Sequence, residues 1–302
     1  MKRVIFAAAA FSAQIFAFSY DLKPIKVSDG VYCIFGNPGA PNNKNNGDIV
    51  NSCYIELDKG VLAVDTGPTY KYAKEAAQKI EKTIGKKITL VINTHYHNDH
   101  LGGNAYYKEK NIEIIGDAAI KEAYEKIPER FDSYKRVVSK EAWEKSVVTL
   151  PSKYIDSNLT IKAKNGDLTV FKPSKKAHTN ADIVVYYPAS KTVIAGDLAY
   201  DQMIVPIRDG SVKGFLEALK EINKLDFSHI IGGHGKTTGR ESYDFVLSYM
   251  TKLRDGVKKA MDKGVELGAI TKEVDMEEFK NSALWDENPK NIIVAYQELE
   301  ME

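Results

Sequence analysis

The sequence has almost no net charge of either sign. Its 302 residues carry 42 Lys and Arg against 41 Asp and Glu, a formal net charge of +1. There is no basic stripe and no acidic tail, so the electrostatic footprint of a nucleic-acid-binding protein is missing and no nucleic-acid partner is expected. A composition of 43% hydrophobic and 27% charged residues excludes a disordered, collagen-like or coiled-coil chain and predicts a globular protein.

The sequence also lacks a hydrophobic run long enough to cross a membrane. Its N-terminus has a basic pair and then a mostly apolar stretch, with no acidic residue before Asp21. This stretch is shorter than the roughly 20 residues of a spanning helix. It is typical of a secretory signal peptide, with small residues at Ala17 and Ser19 before a cleavage site. We predict a signal peptide over residues 1–19 and a periplasmic or secreted chain from Tyr20 that does not span a membrane; an uncleaved anchor is the alternative.

Cysteine is scarce, since Cys33 and Cys53 are the only two. Each lies in an apolar, strand-like run, on either side of a long polar loop at 36–48 that we predict to be a lid. In an oxidising compartment the two thiols could pair across a hairpin. Two separate, buried, small apolar side chains are an equal alternative, because the sequence does not show how far apart they lie.

The pattern of apolar residues predicts a chain of mixed α and β structure. Strand-like runs fall at 24–27, 31–35, 49–57, 61–64, 88–92, 159–163, 168–171, 183–187, 193–195 and 229–231. Helical spacing predicts a helix over Tyr70–Ile84 with a cap at Gly85. It also indicates a polar, helix-rich stretch at 118–146 interrupted at Pro128, a helix at 212–225 and a mostly helical tail from Tyr243.

The order of strands, helix, strands and helix occurs twice. In each half one strand runs into an aspartate, Asp65 in the first and Asp197 in the second. This repetition predicts two similar β-sheet layers packed face to face with helices outside them. No linker or low-complexity segment divides residues 20–302, so we expect a single domain.

Potential metal ligands are concentrated at the end of the strand predicted at 88–92. Within six residues the chain places two histidines in alternation, then an aspartate and a third histidine: His95, His97, Asp99 and His100. A strand runs into this segment and a Gly-Gly turn follows it, so a tight bend can direct several side chains at one point. Imidazole and carboxylate groups suit zinc, and the density of the set predicts a metal site.

Three more potential ligands, His178, Asp197 and His234, lie at predicted strand ends in the second half. Taken singly, each would more often be a hydrogen-bonded polar residue, but together with the first group they predict one shared centre. The remaining histidine, His229, alternates with apolar neighbours and is expected to be structural.

This order of motifs, HxHxDH followed by His, Asp and His, resembles the metallo-β-lactamase fold superfamily. The resemblance implies an α+β fold, an αβ/βα four-layer sandwich, with a helical C-terminal segment. It implies one metal on His95, His97 and His178, a second on Asp99, His100 and His234, and Asp197 bridging both. Asp65 would orient the ligand loop, and Thr94 is a weaker candidate for the same role.

The residue at position 197 indicates which members of the superfamily this chain resembles most. Asp197 is similar to the glyoxalase II type of site, whereas class B β-lactamases carry Cys or Ser there. Segments such as Asp29-Gly-Val-Tyr and Asp65-Thr-Gly-Pro resemble most closely the exported zinc metallohydrolases associated with quinoprotein and sulfur-oxidation systems. That resemblance supplies no physiological substrate.

The implied function is a periplasmic hydrolase with two Zn²⁺ ions, for which iron and manganese are alternatives. A metal-bridging hydroxide would attack an ester, thioester, lactone or amide-type bond of a small-molecule substrate. Asp99 would serve as both ligand and proton acceptor. Tyr96, Asn180 and Tyr200 lie beside ligands and are candidates for contacting substrate, with packing as the alternative for each.

Two other functions fit the same residues. The first is a true metallo-β-lactamase, against which Asp197 argues. The second is a non-catalytic, metal-containing accessory or binding protein of a periplasmic redox relay. The sequence carries no signal for an oligomeric state.

Overall fold

Twelve strands form one continuous mixed sheet in the computed structural model, which describes residues 18–302. The predicted signal peptide therefore lies outside the described residues, apart from Phe18 and Ser19. The strands are β1 Ile25–Ser28, β2 Val31–Ile34, β3 Ser52–Leu57, β4 Gly60–Val64, β5 Ile88–Ile92, β6 Glu113–Asp117, β7 Lys153–Ile155, β8 Leu159–Ala163, β9 Gly166–Phe171, β10 Val184–Tyr187, β11 Thr192–Tyr200 and β12 His229–His234.

Nine α-helices accompany these strands in the described part of the chain. They are α1 Tyr70–Ile84, α2 Asn98–Leu101, α3 Asn104–Glu109, α4 Ile127–Val137, α5 Lys140–Trp143, α6 Val212–Ile222, α7 Glu241–Met261, α8 Ile270–Glu273 and α9 Asn288–Glu300. None of them is long and apolar enough to cross a membrane.

The sheet consists of two halves, β1–β7 and β8–β12, joined at the single pair Leu57–Ala163 between β3 and β8. Alternation along the strands directs side chains to opposite faces. In β3, Cys53 and Ile55 belong to an apolar core shared with the second half, while Tyr54 faces α1 and α3. In β11, Ile194 belongs to that same shared core.

The opposite face of the second half is covered by helices. Val193 and Ala195 of β11 pack in a cluster that includes buried residues of α6, α7 and α9. With α1 and α3 on the first half, this gives helix, sheet, sheet and helix layers. The fold class expected from the sequence is confirmed.

Local sequence accounts for the first helix. Thr69 caps its N-terminus by accepting a hydrogen bond from the Tyr72 amide, and Gly85 ends it in the left-handed conformation at φ 76°. Apolar residues at helical spacing bury one face of the helix against the first half-sheet. The observed bounds coincide with the predicted ones.

Other elements differ from the prediction. Strand β11 does not end at Asp197 but continues to Tyr200, with an irregular register around Gly196, whose φ is 53°. His234 is the last residue of β12, whereas the strand predicted there ended at 231, three residues before it. The helix predicted at 212–225 ends at Ile222, and Pro128 occupies the first turn of α4 instead of interrupting a helix. Proline is well tolerated there, because the first helical amides have no partner within the helix.

Residues 49–51 do not join β3, because their polar groups are used elsewhere. The Asn51 side chain accepts from the Gly36 amide and donates to two carbonyls, that of Gly232 within β12 and that of Gly235 just after it. Strands β6 and β7 were not predicted. They are short, and parallel pairing of β6 with β5 and of β7 with β6 adds them to the sheet.

Cys33 and Cys53 form a disulfide bond. They lie directly opposite each other in the antiparallel pair β2–β3, and both are buried. The register of β2 against β3 brings these two residues, 20 positions apart in sequence, side by side. The two cysteines are therefore not separate.

Candidate metal centre

The loop that follows β5 is held in place by a buried aspartate. Asp65 has a left-handed backbone, with φ 61°. One carboxylate oxygen, Oδ1, accepts from the Thr94 amide at 2.7 Å, and the other, Oδ2, accepts from the Thr94 hydroxyl at 2.8 Å. Oδ2 also lies 2.7 Å from Nδ1 of His100. Asp65 therefore fixes both ends of the segment that carries the first four potential ligands.

The predicted ligands form two compact groups. His95, His97, His178 and Asp197 each offer an atom within 4.8 Å of the others, and so do Asp99, His100 and His234 in the second group. In the first group, Nε2 of His178 lies 3.0 Å from Nδ1 of His97 and 3.1 Å from Oδ2 of Asp197. The structure thus brings together all seven residues, from loops and strands up to 139 positions apart in sequence (His95 to His234).

Asp197 lies between the two groups and presents one oxygen to each. Its Oδ2 is 3.7 Å from Nε2 of His95 and 3.1 Å from Nε2 of His178. Its Oδ1 is 3.1 Å from Nε2 of His100 and 3.5 Å from Nε2 of His234. A carboxylate divided in this way can bridge two cations.

Like Nδ1 of His100, which lies against Asp65, the outer nitrogens of three more ligand rings have partners that orient them. Nε2 of His97 lies 3.3 Å from Asp209, and Nδ1 of His95 lies 3.1 Å from the Thr94 hydroxyl. Nδ1 of His234 lies 2.8 Å from the Ile49 carbonyl oxygen. Partners of this kind set which ring nitrogen is free to bind a metal.

Inward-facing atoms of the site are buried without hydrogen-bond partners. These atoms are Nε2 of His95, Nε2 of His100 and Oδ1 of Asp197. Buried polar atoms are nearly always paired, so unpaired nitrogens and an unpaired oxygen that face one another are the arrangement expected around a cation. The donor set, imidazole and carboxylate, fits a divalent transition metal.

Burial and neighbouring charges shift the pKa values of the potential ligands in different directions. Burial lowers the pKa of His97 to about 4 and the pKa of His95 well below its usual value, so both rings are neutral, as metal ligands must be. Burial opposes charge at His100 too, but the carboxylates of Asp197 and Asp65 raise its pKa well above the usual value, so His100 would release a proton on binding a metal. Despite its burial, the pKa of Asp197 is well below the usual value because of the surrounding histidines.

A cleft of about 260 Å³ opens onto both groups. The loop at 39–41 forms part of its rim, Tyr134 and Met203 contribute apolar surface, and Arg130 and Arg208 contribute cationic side chains. The carboxylate of Asp99 faces this cleft and lies 3.4 Å from Nε2 of His234. A larger groove, of about 800 Å³, lies along α7 and contains none of the potential ligands.

The three residues predicted to contact substrate are placed differently from one another. Tyr200 lines the cleft and donates its hydroxyl hydrogen to Oδ2 of Asp197 at 2.7 Å. Tyr96 is buried in a separate apolar cluster and does not line the cleft. The Asn180 side chain donates to Glu122 and lies outside the cleft as well.

Sequence reasoning missed two carboxylates that support the ligands. Asp209 reaches His97 from the loop after β11, and it is itself paired with Arg130 and Lys126. No local pattern marks it. Asp182 accepts from the amide and hydroxyl of Thr179, at 2.8 and 2.7 Å, and so shapes the turn that carries His178. The Thr-x-x-Asp spacing after His178 is a signal that could have identified this turn.

Comparison with known proteins agrees with this architecture. The family model of the metallo-beta-lactamase superfamily matches residues 45–234, which span the ligand set from His95 to His234. A metallo-beta-lactamase type 2 from Bacillus sp. (strain 170) is 26% identical over 198 residues, 63% of this chain and 69% of the relative. One from Elizabethkingia meningoseptica is 24% identical over 219 residues, 68% and 78% of the two chains.

Solved structures show the same fold. A metallo-beta-lactamase from Pontibacter korlensis superposes with a TM-score of 0.61 at 19% identity, covering 76% of this chain and 99% of that one. The metallo-beta-lactamase FIM-1 from Pseudomonas aeruginosa, in its mono-zinc form, gives a TM-score of 0.62 at 19% identity, covering 78% and 96%.

Proposed function

Because this chain belongs to the metallo-β-lactamase superfamily, we propose that it is an exported hydrolase that uses two metal ions to cleave an ester, thioester, lactone or amide-type bond. The coarser assignment, a superfamily hydrolase with a His/Asp site able to hold metal, follows from the family match and the ligand geometry. We propose in addition that the site holds two metal ions, that the bond cleaved is of one of these classes, and that the protein is exported.

The observation that carries the proposal is the position of Asp197. Its two oxygens face different histidine groups, at 3.1 Å from His178 and 3.1 Å from His100. A site for a single ion would need only one of these oxygens. The division of the carboxylate therefore supports two ions, one held by His95, His97 and His178 and the other by Asp99, His100 and His234.

The chain's own residues define how a substrate would be handled. When bound, two divalent ions supply a Lewis acid for the carbonyl oxygen and lower the pKa of water toward neutrality. The Asp99 carboxylate faces the cleft and is placed to accept a proton there. The Tyr200 hydroxyl holds Oδ2 of Asp197, which keeps the bridging carboxylate in one orientation. Arg130 and Arg208 in the cleft wall are each paired with a carboxylate that also lines the cleft, Asp209 and Glu287 respectively.

Zinc is the metal we propose. Imidazole-rich ligand sets with carboxylates suit Zn²⁺, while iron and manganese accept the same donors. The mono-zinc form of the FIM-1 structure, which shares the fold, supports this choice.

Metal analysis combined with a substrate panel tests the proposal. Protein purified from its native compartment should contain close to two metal ions per chain and should cleave at least one thioester, lactone or ester. His95→Ala should lower metal content and reduce hydrolysis at least about 10-fold. His229→Gln is the matched control, because His229 lies at the start of β12 and belongs to neither ligand group. Full metal content in the His95→Ala protein would contradict the assignment.

Hydrolysis of β-lactams is the second candidate, because the similar curated proteins are metallo-beta-lactamases. Asp197 argues against β-lactam hydrolysis, because class B β-lactamases carry Cys or Ser at the corresponding position. We expect weak turnover of penicillins and carbapenems beside turnover of the best ester, thioester or lactone. Efficient opening of β-lactam rings by the unmodified protein would favour β-lactam hydrolysis over cleavage of esters, thioesters or lactones as its function.

Export is supported by the N-terminal pattern and by the Cys33–Cys53 disulfide, since such bonds form and persist in oxidising compartments. Mass spectrometry of the periplasmic or secreted protein should show a chain that begins near Tyr20. Full-length protein in the cytoplasm of the native host would contradict export.

A further inference from the structure

The chain becomes buried at the residue where the signal peptide is predicted to end. Ser19 is exposed, whereas Tyr20 is only 4% exposed. The Tyr20 ring packs edge-on against Tyr72 of α1, with ring centroids 5.3 Å apart. The predicted cleavage would therefore leave a new chain end on the folded surface rather than at the tip of a free tail.

A carboxylate already lies at the nitrogen atom that this cleavage would free. The backbone nitrogen of Tyr20 donates to Oε2 of Glu75 at 2.8 Å, and the Ser19 hydroxyl donates to the same oxygen at 3.0 Å. The other oxygen, Oε1, lies 3.4 Å from Nζ of Lys71. The Glu75 side chain is 16% exposed, so this carboxylate is mostly shielded from water.

We propose that Glu75 is the binding site for the α-ammonium group of the mature chain, created when the Ser19–Tyr20 peptide bond is hydrolysed. Water is the co-reactant: Ser19 keeps the new carboxylate and leaves with the signal peptide, and the Tyr20 nitrogen gains the protons of an ammonium group. This inference rests on the export part of the proposed function.

Cleavage strengthens the contact at Glu75. A neutral amide N–H is replaced by an ammonium group with three donors, so the hydrogen bond to the Glu75 carboxylate gains the attraction between two opposite charges. The Ser19 hydroxyl departs, so Oε2 is left to the new ammonium group. The Glu75 carboxylate then lies between two cations, the chain end on Oε2 and Lys71 on Oε1.

The anchored chain end also supports the metal centre. The Tyr20 hydroxyl donates to the Asn46 carbonyl at 2.9 Å and lies 3.0 Å from the hydroxyl of Thr69, the residue that caps α1. Asn46 precedes Ile49 by three residues, and the Ile49 carbonyl is the partner of the His234 ring. The N-terminus therefore ties α1 to the loop that orients one metal ligand.

A double-mutant comparison tests the ammonium site. Glu75→Gln is made in two chains, one that begins at Tyr20 and one that begins at Ala17 and so keeps the Phe18 and Ser19 contacts. In the chain that begins at Tyr20 we expect the change to lower Tm by about 4 °C or more. In the longer chain, where the Tyr20 nitrogen stays in a neutral peptide bond, the loss should be less than half as large. Equal losses in the two chains would overturn the proposal.

Glu113→Gln serves as the matched control. Glu113 is half-exposed and pairs with Lys153 at 3.6 Å, away from α1 in the chain, so the change should have the same small effect on both chain lengths. A difference for Glu113→Gln as large as that for Glu75→Gln would show that chain length, not the ion pair, sets the result, and would also overturn the proposal.

A measurement on unmodified protein remains decisive if Glu75→Gln does not fold. The α-amino group of the chain that begins at Tyr20 should react with an acylating reagent at neutral pH at least about 10-fold more slowly than that of the chain that begins at Ala17, by mass spectrometry. Equal reactivity, or a mature N-terminus at another residue, overturns the inference. If protection is found and metal-dependent hydrolysis is not, the catalytic part of the proposed function fails and the ammonium site stands.

Discussion

At the residue scale, Asp197 has the most specific geometry in the molecule. Because its two oxygens serve different histidine groups, a side chain with one oxygen cannot replace it. Asp197→Ser should weaken the second metal more than the first and lower hydrolysis at least about 10-fold. Metal content by mass spectrometry and rates on the best ester or thioester check this. Asp226→Ser, at a side chain 75% exposed, is the control; two metals and full activity in Asp197→Ser would show that the bridge is not needed.

A second prediction at this scale concerns Asp48, which is 7% exposed. Burial raises its pKa to about 7, well above the value near 3.9 of an unfolded chain. The folded state therefore binds the proton more tightly, so the stability that the neutral form contributes is complete below about pH 4 and is lost as pH rises through 7.

Asp48→Asn removes this titration while keeping an oxygen that can accept from Asn37. The free energy of unfolding of the unmodified protein should fall relative to the variant between pH 4 and 7, by a few kcal/mol at about 1.4 kcal/mol for each unit of pKa shift. Urea unfolding across this pH range measures the difference. Asp58→Asn, at an exposed turn, should show no such trend; parallel pH profiles for Asp48→Asn and the unmodified protein would refute the prediction.

At the scale of elements, the bend in β11 determines where Asp197 points. Gly196 has φ 53°, and a Cβ atom there would lie 2.7 Å from the Thr94 hydroxyl, which Asp65 holds. Gly196→Ala should therefore add backbone strain and displace the ligand loop, at a cost of roughly 2 kcal/mol or more in the free energy of unfolding.

The control for this change is Gly264→Ala. Gly264 also has positive φ, 77°, but a Cβ atom there would have no neighbour within 4 Å. Gly264→Ala should therefore lower the free energy of unfolding by the backbone strain alone, about 1 kcal/mol, and leave the metal content unchanged. Denaturant unfolding and metal analysis of both variants separate the two effects; equal losses would mean that contact with Thr94 is unimportant.

At the scale of the whole molecule, the metal centre joins the two halves of the fold. His95, His97, Asp99 and His100 follow β5. Asp197 and His234 lie on strands of the second half-sheet, and His178 lies in the loop between its strands β9 and β10. Metal binding should therefore stabilise the whole molecule by about 4 kcal/mol for each site when the free metal is 1,000-fold above Kd. Chelation should lower Tm by roughly 8 °C or more, and added Zn²⁺ should restore it. A Tm that chelator does not change would contradict a role of the metal in joining the halves.

The features that could be predicted from the sequence are those that depend on near neighbours in the chain. Helix α1 could be predicted with its bounds because the apolar spacing and the cap at Gly85 act within one helical turn of the residues they specify. The ligand types were readable for the same reason, since the histidines and aspartate after β5 lie within six positions. The two sheet layers with helices outside them could be predicted from the repeated order of elements.

Features that depend on contacts between residues far apart in the chain could not be predicted. The pairing of Cys33 with Cys53 follows from the register of β2 against β3, and the support of His97 by Asp209 joins residues 112 positions apart. The same is true of Asp197, whose strand the sequence ended too early because nothing local shows that β11 continues past Gly196 beside β12. Such contacts gain their free energy only when the two half-sheets pack together, so no local pattern in the sequence encodes them.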